Sequence, residues 1–190
     1  MRTPFFTGQG DSGSANLGNR QVPKDDLLFE VLGGLDGLNS WLGLVTTEAE
    51  RTALPQDPAA IQVGEAIRQV QETLFVAQAE IAAIGTGREP AARITHAHVA
   101  RLEEIIFAID AVVPPLTKFV IPGGSELAAR LDVARTVVRE LERRAVSFHR
   151  QTLLSPDLLA YLNRLSSFFF TLARYVNLVL QKPEAHPSYE

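Results

Sequence analysis

Two separated stretches of the chain carry residues suited to holding a polyphosphate. The first, Thr7-Gly8-Gln9-Gly10-Asp11-Ser12-Gly13, is glycine-rich and bears one carboxylate, so its backbone N–H groups are free to approach an anion closely. The second places Arg135, Arg139 and Glu142 at i, i+4, i+7 of a helical pattern, on one side and beside an apolar stripe rather than opposite it. Spacing alone favours a solvated ion-pair ladder. A position flanking a core seam favours a cleft between helices or subunits, where an arginine needs an anion.

Other polar residues interrupt apolar runs. Asn163 and Arg164 lie within Tyr161-Leu162-Asn163-Arg164-Leu165-Ser166, where the asparagine fits a helix–helix hydrogen bond more readily than a ligand contact. Asp36 and Asn39 stand three apart on a helical segment that also carries Gly33, Gly34 and Gly37. If Asp36 is partly buried it needs a cationic partner, for which an arginine of the Arg135 helix is the natural candidate; if not, it is a plain exposed aspartate. His96, His98, His149 and His186 form no ligand cluster with carboxylates, so no protein-bound metal is expected. No Gly-x-x-x-x-Gly-Lys-Ser/Thr or Gly-x-Gly-x-x-Gly pattern follows a strand, which removes the P-loop and the Rossmann routes to a nucleotide.

The elements that must position these residues read as all-α. Residues 1–24 hold Gly8, Gly10, Gly13 and Gly18 among small polar residues, and are expected to be a flexible loop. A first helix is predicted over about Asp25 to Thr46, with its glycines marking close approach of a neighbour or ligand. A second opens on an Asp57-Pro58 cap and ends at Gly85-Thr86-Gly87. A third spans about Thr95 to Val113 and stops at Pro114-Pro115. Leu116 to Gly124 is too apolar for a free loop and too punctuated for a helix, so it is expected to pack in an extended form. Leu127, Leu131, Ala134, Val138, Leu141, Ala145 and Phe148 then give a fourth helix a continuous stripe, matched by Leu158, Leu162, Leu165, Phe169, Leu172 and Val176 on a fifth that opens at Ser155-Pro156. Two such seams imply a bundle over residues 25–182. The tail, 183–190, lacks a core signal and is expected to fray.

Composition sets the outer limits. A chain of 190 residues suits one domain, and 46% hydrophobic with 21% charged residues is ordinary globular usage, too charged for a membrane bundle. The net charge of −4 argues against a nucleic-acid binder. With no cysteine, disulfides and thiolate metal sites are excluded. No basic leader with an apolar run and no transmembrane-length span is present, which makes a cytoplasmic protein the simplest expectation.

Five blocks in order make the chain resemble the PduO-type ATP:cob(I)alamin adenosyltransferases. They are Gly10-Asp11-x-Gly13, Lys24-Asp25-Asp26, Glu30 and Gly33 with Asp36-x-Leu38-Asn39-Ser40, Phe119-Val120-Ile121-Pro122-Gly123-Gly124, and Val133-Ala134-Arg135 through Glu142-Arg143 followed by Tyr161 to Ser166. The resemblance implies a five-helix bundle of the ferritin-like kind, assembled as a homotrimer with each site between two subunits. It implies transfer of the 5′-deoxyadenosyl group of ATP, with Mg²⁺, to cobalamin as cob(I)alamin, releasing triphosphate, and functional links to a cobalamin reductase and a product-accepting enzyme. Arg135 would pair with Asp36 across the interface and Arg139 would neutralise the triphosphate. Thr7, Gly10, Asp11, Gly13, Lys24, Glu142 and Asn163 would hold the nucleotide, and Phe119 would press on the lower face of the corrin, displacing the lower axial ligand.

The chain departs from the family pattern at Gly8 and Ala15, which predicts a looser phosphate grip, and at Gly37 and Ser167, where carboxylates are usual. Asp132 and Glu140 replace basic residues and predict a more acidic pocket. The alternative these departures raise is a catalytically weakened or inactive relative acting as a corrinoid and nucleotide carrier or sensor.

Overall fold

A computed structural model describes residues 6, 8–55, 59 and 61–189. Short polar side chains start three of its helices: Asp26 Oδ1 accepts from the Leu28 N–H at 2.8 Å, Ser125 Oγ from Ala128 at 3.3 Å, and Ser155 Oγ from Leu158 at 3.2 Å. The helices are α1 (Leu27–Arg51), α2 (Val63–Thr86), α3 (His96–Asp110), α4 (Glu126–His149) and α5 (Pro156–Val179). Pro156 sits at the first position of α5, where its missing N–H costs nothing. Gly87 closes α2 in the left-handed region at φ +66°, accepting a strain-free turn that a side chain would resist.

The helices pack in the spatial order α2, α1, α4, α5, α3. The two stripes expected on α4 and α5 are the centre of this arrangement: Leu131, Ala134, Val138, Leu162, Leu165, Phe169 and Leu172 are fully buried. Phe168 and Phe169 meet edge to face with centroids 5.2 Å apart. Gly34 lets α1 come close to α4, since a Cβ there would lie 2.9 Å from Leu141 Cδ1. Gly33 and Gly37, by contrast, face open space.

The structure differs from expectation in several places. α1 runs past Thr46 to Arg51, and α3 stops before Val113. α2 begins at Val63, with residues 61 and 62 outside it, so the expected start at Pro58 is too early; Asp57 and Pro58 themselves lie outside the described residues.

Part of the expected N-terminal loop is an antiparallel hairpin, β1 (Ser14–Leu17) with β2 (Arg20–Pro23), turned at Gly18 with φ +62°. Its hold on the bundle is tertiary: Val22 is buried, Arg20 Nη1 donates to Gly85 O at 3.3 Å, and Leu17 and Leu28 fill the space a Cβ on Gly85 would need. The segment 116–124 is non-helical but presents Leu116, Phe119 and Ile121 outward rather than packing them. The tail is anchored, not frayed: Ile121 N–H donates to Ala185 O at 2.8 Å and Glu184 pairs with Arg174.

The turn into α4 depends on Gly124, which has φ +98° and no room for a Cβ beside the Asn177 amide, 2.5 Å away. Asn177 also accepts from Ser125 N–H at 2.9 Å and donates to Gly123 O at 2.7 Å. Gly124→Ala is expected to destabilise by about 1–3 kcal/mol, read as a lowered thermal midpoint. Gly33→Ala, in open space on a helix, is expected to leave the fold at least as stable.

Candidate functional site

Because α4 buries its stripe against α5, residues one step round the helix emerge along the flank of the seam. Arg139, Glu142 and Arg143 from α4 and Arg150, which caps its C-terminus, line an open groove of about 550 Å³ together with Asn163 from α5. Among the described residues none of the three arginines is held in an ion pair. Glu142 is fixed instead by Asn163, whose Nδ2 donates to Glu142 Oε1 at 2.8 Å. The asparagine Oδ1 accepts from Arg164 at 3.1 Å, and Arg164 reaches Glu103 of α3 at 2.7 Å. Asn163 is therefore the helix–helix link its context suggested, and the same bonds orient its amide at the groove. Three cationic forks without carboxylate partners beside one carboxylate form a site for a multiply charged anion.

Arg143 and Arg150 carry that site as much as Arg139 does, and neither stood out in the sequence as a candidate. Their signal is there: 139, 143 and 150 fall at i, i+4, i+11, three turns of one helical face.

The other candidates divide. Gly10 and Lys24 come together, since a Cβ on Gly10 would lie 2.8 Å from Lys24 Nζ; Lys24 N–H also donates to Gly13 O at 2.9 Å. Gly8 and Gly13 hold left-handed φ of +68° and +81°, and the Asp11 N–H donates to Gly8 O at 3.3 Å, giving a compact turn under the lysine. Thr7 lies outside the described residues. Asp36 and Arg135 do not pair within one chain: Asp36 is exposed, while Arg135 Nε stands 3.5 Å from Asp132 Oδ1 and lacks a hydrogen bond of good geometry. Asn39 is 9% exposed with Oδ1 unpartnered. Phe119 projects from the 114–124 segment with its ring in solvent.

Three of the four histidines serve local structure. His98 Nδ1 completes the α3 capping box at Thr95, His149 Nδ1 accepts from Leu154 N–H at 3.0 Å, and His186 meets Phe119 O. The described residues contain no metal-ligating cluster of His, Asp and Glu, and no helix long and apolar enough to cross a membrane.

Glu140 does not acidify the groove. It pairs with Arg144 at 2.6 Å, and Arg144 also approaches Glu30 at 3.3 Å, so this carboxylate is spent on an ion pair outside the groove lining. Ala15 is a paired hairpin residue opposite Val22. Asp132 lies where the 114–124 segment meets α4, its Oδ2 accepting from Gly123 N–H at 3.1 Å.

The helical bundle thus presents an arginine groove on one seam, a lysine-capped glycine turn and a projecting phenylalanine. It belongs to the cobalamin adenosyltransferase family, whose model, described as cobalamin adenosyltransferase, matches residues 5–176. The chain is 36% identical over 173 residues to a corrinoid adenosyltransferase of Bacillus subtilis, covering 91% of this chain and 86% of the relative. It is 36% identical over 172 residues to a cobalamin adenosyltransferase of Cupriavidus metallidurans, covering 90% and 86%. Among solved structures, a phenylalanine-to-alanine variant of the PduO-type ATP:corrinoid adenosyltransferase from Lactobacillus reuteri, complexed with cobalamin and ATP, superposes with a TM-score of 0.83 at 30% identity over 97% of this chain and 99% of that one. An arginine-to-lysine variant of that enzyme complexed with ATP gives a TM-score of 0.83 at 29% identity, over 97% and 100%.

Burial raises the Asp132 pKa above the ordinary 3.8, outweighing the lowering by the Gly123 N–H and the Arg135 guanidinium. The folded state therefore binds this proton more tightly than the unfolded chain. The stabilising contribution is complete below the ordinary aspartate value and is lost as pH rises through the folded one. Asp132→Asn removes that loss, so its stability advantage over the unmodified chain is expected to grow with pH across this window. Denaturant midpoints measured along a pH series check it; a variant whose midpoint tracks the unmodified chain would contradict the assignment.

Proposed function

We infer that the chain transfers the 5′-deoxyadenosyl group of ATP to cob(I)alamin, giving adenosylcobalamin and triphosphate. The observation that carries the reading is the groove of Arg139, Arg143 and Arg150, unpaired cations beside Glu142 and Asn163, in a chain whose net charge is −4. Cobalt(I) supplies the electron pair: the cobalt–carbon bond forms at C5′, the C5′–oxygen bond breaks, and triphosphate departs with that bond's electrons. No proton moves in this step, so the protein's work is binding, orientation and charge stabilisation.

Arg139, with Arg143 and Arg150, neutralises the charge that accumulates on the leaving triphosphate. Lys24 and the Gly10 to Gly13 turn hold the phosphates from the other side, Thr7 joining that turn, and Glu142 and Asn163 position the nucleotide; Mg²⁺ accompanying the ATP would be met by the Glu142 carboxylate and would supply further charge neutralisation on the phosphates. Phe119 occupies the lower face of the corrin and keeps the lower axial ligand away, which eases reduction of cobalt(II). The site is completed by a second subunit of a homotrimer, in which Arg135 leaves Asp132 to pair with Asp36 of the partner subunit. Open space at Gly33 and Gly37 beside the exposed Asp36 supports a close-packed neighbour on that face of α1. The setting is cytoplasmic, fed by a cobalamin reductase and drained by a B12-dependent enzyme, because cob(I)alamin must be generated by one-electron reduction before the transfer.

Incubation with chemically reduced cobalamin and Mg-ATP is expected to yield the cobalt–carbon chromophore and one triphosphate per product. Protein that binds both substrates without forming that bond would overturn the activity. Arg139→Ala is expected to lower turnover by about 10²-fold or more while barely moving the thermal midpoint, since an exposed arginine adds charge stabilisation and little packing. Light scattering at micromolar concentration is expected to return three times the chain mass; a monomer would sink the shared site. Arg135→Ala is expected to weaken assembly.

A further inference from the structure

The Phe119 ring is 76% exposed, so no packing of the ring itself sets its direction. Its aim is a property of the backbone from Pro114 to Gly124, which belongs to no helix or strand. Such a segment holds one shape only where its main-chain groups are tied down. At its start, Pro114 O accepts from Arg174 Nη2 at 2.9 Å. At its end, Gly123 is held on both sides, its N–H by Asp132 and its C=O by Asn177.

The two ties nearest the ring come from the C-terminal tail. Phe119 O lies 2.9 Å from His186 Nδ1, which must carry the proton because a carbonyl only accepts, and Ile121 N–H donates to Ala185 O at 2.8 Å. The tail is itself fastened by one bidentate pair: Arg174 Nε and Nη2 donate to Glu184 Oε1 and Oε2 at 2.5 and 3.1 Å, with side chains only 10% and 24% exposed. Arg174 thus grips the start of the loop and the strap that crosses its middle.

We propose that the tail is a positioning element for the corrinoid step: the Arg174–Glu184 pair docks residues 184–186 against the Phe119 loop and sets the approach of the ring to the lower face of the corrin. The inference rests on the reading of Phe119 given above. Arg174, Glu184 and His186 are positioning residues, acting through the loop backbone and not on the substrate. The family match ends at residue 176, upstream of the strap.

The test uses the full chain, Glu184→Ala, Glu184→Asp, a chain ending at Lys182, and Phe119→Ala. Hydrogen exchange in the ligand-free protein reads the Ile121 amide, and the spectrum of cob(II)alamin bound with ATP reads the fraction lacking a lower axial ligand. Glu184→Ala and the shortened chain are expected to speed Ile121 exchange by about tenfold or more and to lower that fraction severalfold, with Glu184→Asp recovering part of both. Helix α5 ends at Val179, before the strap, so these changes leave all five helices at full length. Unchanged Ile121 exchange overturns the strap. Faster exchange with the full chain's spectrum, while Phe119→Ala loses the signature, overturns its positioning role and leaves the Phe119 reading standing. A full-chain spectrum in Phe119→Ala overturns the Phe119 reading, and the inference with it.

Discussion

The apolar seam between α4 and α5 is the constraint on which the rest of the molecule depends. Its members are fully buried along both helices, which fixes not only that α4 packs there but how it is rotated about its own axis. A helix turns 100° per residue, so once Leu131, Ala134, Val138, Leu141 and Ala145 face inward, Arg139, Arg143 and Arg150 have no freedom left in where they emerge. Rotation by one residue would carry a guanidinium into the core, at the cost of an unpaired buried charge, and the groove would vanish. The chemistry of the groove is inherited from the packing of the seam.

The Asn163 network locks the outcome from the other side. Glu142 is the one acidic residue in the groove, and an untethered glutamate there would swing onto a neighbouring arginine and cancel part of the cationic field. The Asn163 amide occupies it, and Arg164 with Glu103 fixes the amide. A chain of hydrogen bonds across α4, α5 and α3 thereby keeps three arginines available for an external anion.

Helix existence and the seam were legible in the sequence because 3.6-residue periodicity over twenty residues is a long, redundant signal. The hairpin was not. Ser14 to Leu17 and Arg20 to Pro23 are four residues each, too short for alternation to register, and they form because Leu17 finds a surface at Gly85 beside Leu28 and Val22 is buried. The outward face of 116–124 was misjudged for a related reason. Leu116, Phe119 and Ile121 look like core residues by type, yet no helix turns them inward, and the segment's backbone bonds go to Arg174, Asn177, Asp132, Ala185 and His186, the last 67 residues along the chain from Phe119. Glu140 shows the same limit at the site: a charge change read as acidifying the pocket is absorbed by Arg144, a partner one turn on.

The overall charge and the groove oppose each other, and the distance over which each acts decides which wins. With a net charge of −4, the chain as a whole repels a polyphosphate. At physiological salt the Debye length is about 8 Å, so carboxylates beyond that range contribute little in the groove. Inside it, Arg139, Arg143 and Arg150 outnumber Glu142 and act at contact distance, where screening by bulk ions is least. The cationic field is therefore local to one stripe of α4 and its C-cap. On the function proposed above, capture from solution would gain little electrostatic steering, and retention would depend on direct guanidinium contacts and on the glycine turn with Lys24. On that reading the site would bind by enclosure between two elements rather than by attraction from afar, so the placement of Lys24, directly after β2 of the hairpin held against α2, would matter to phosphate binding as much as any arginine.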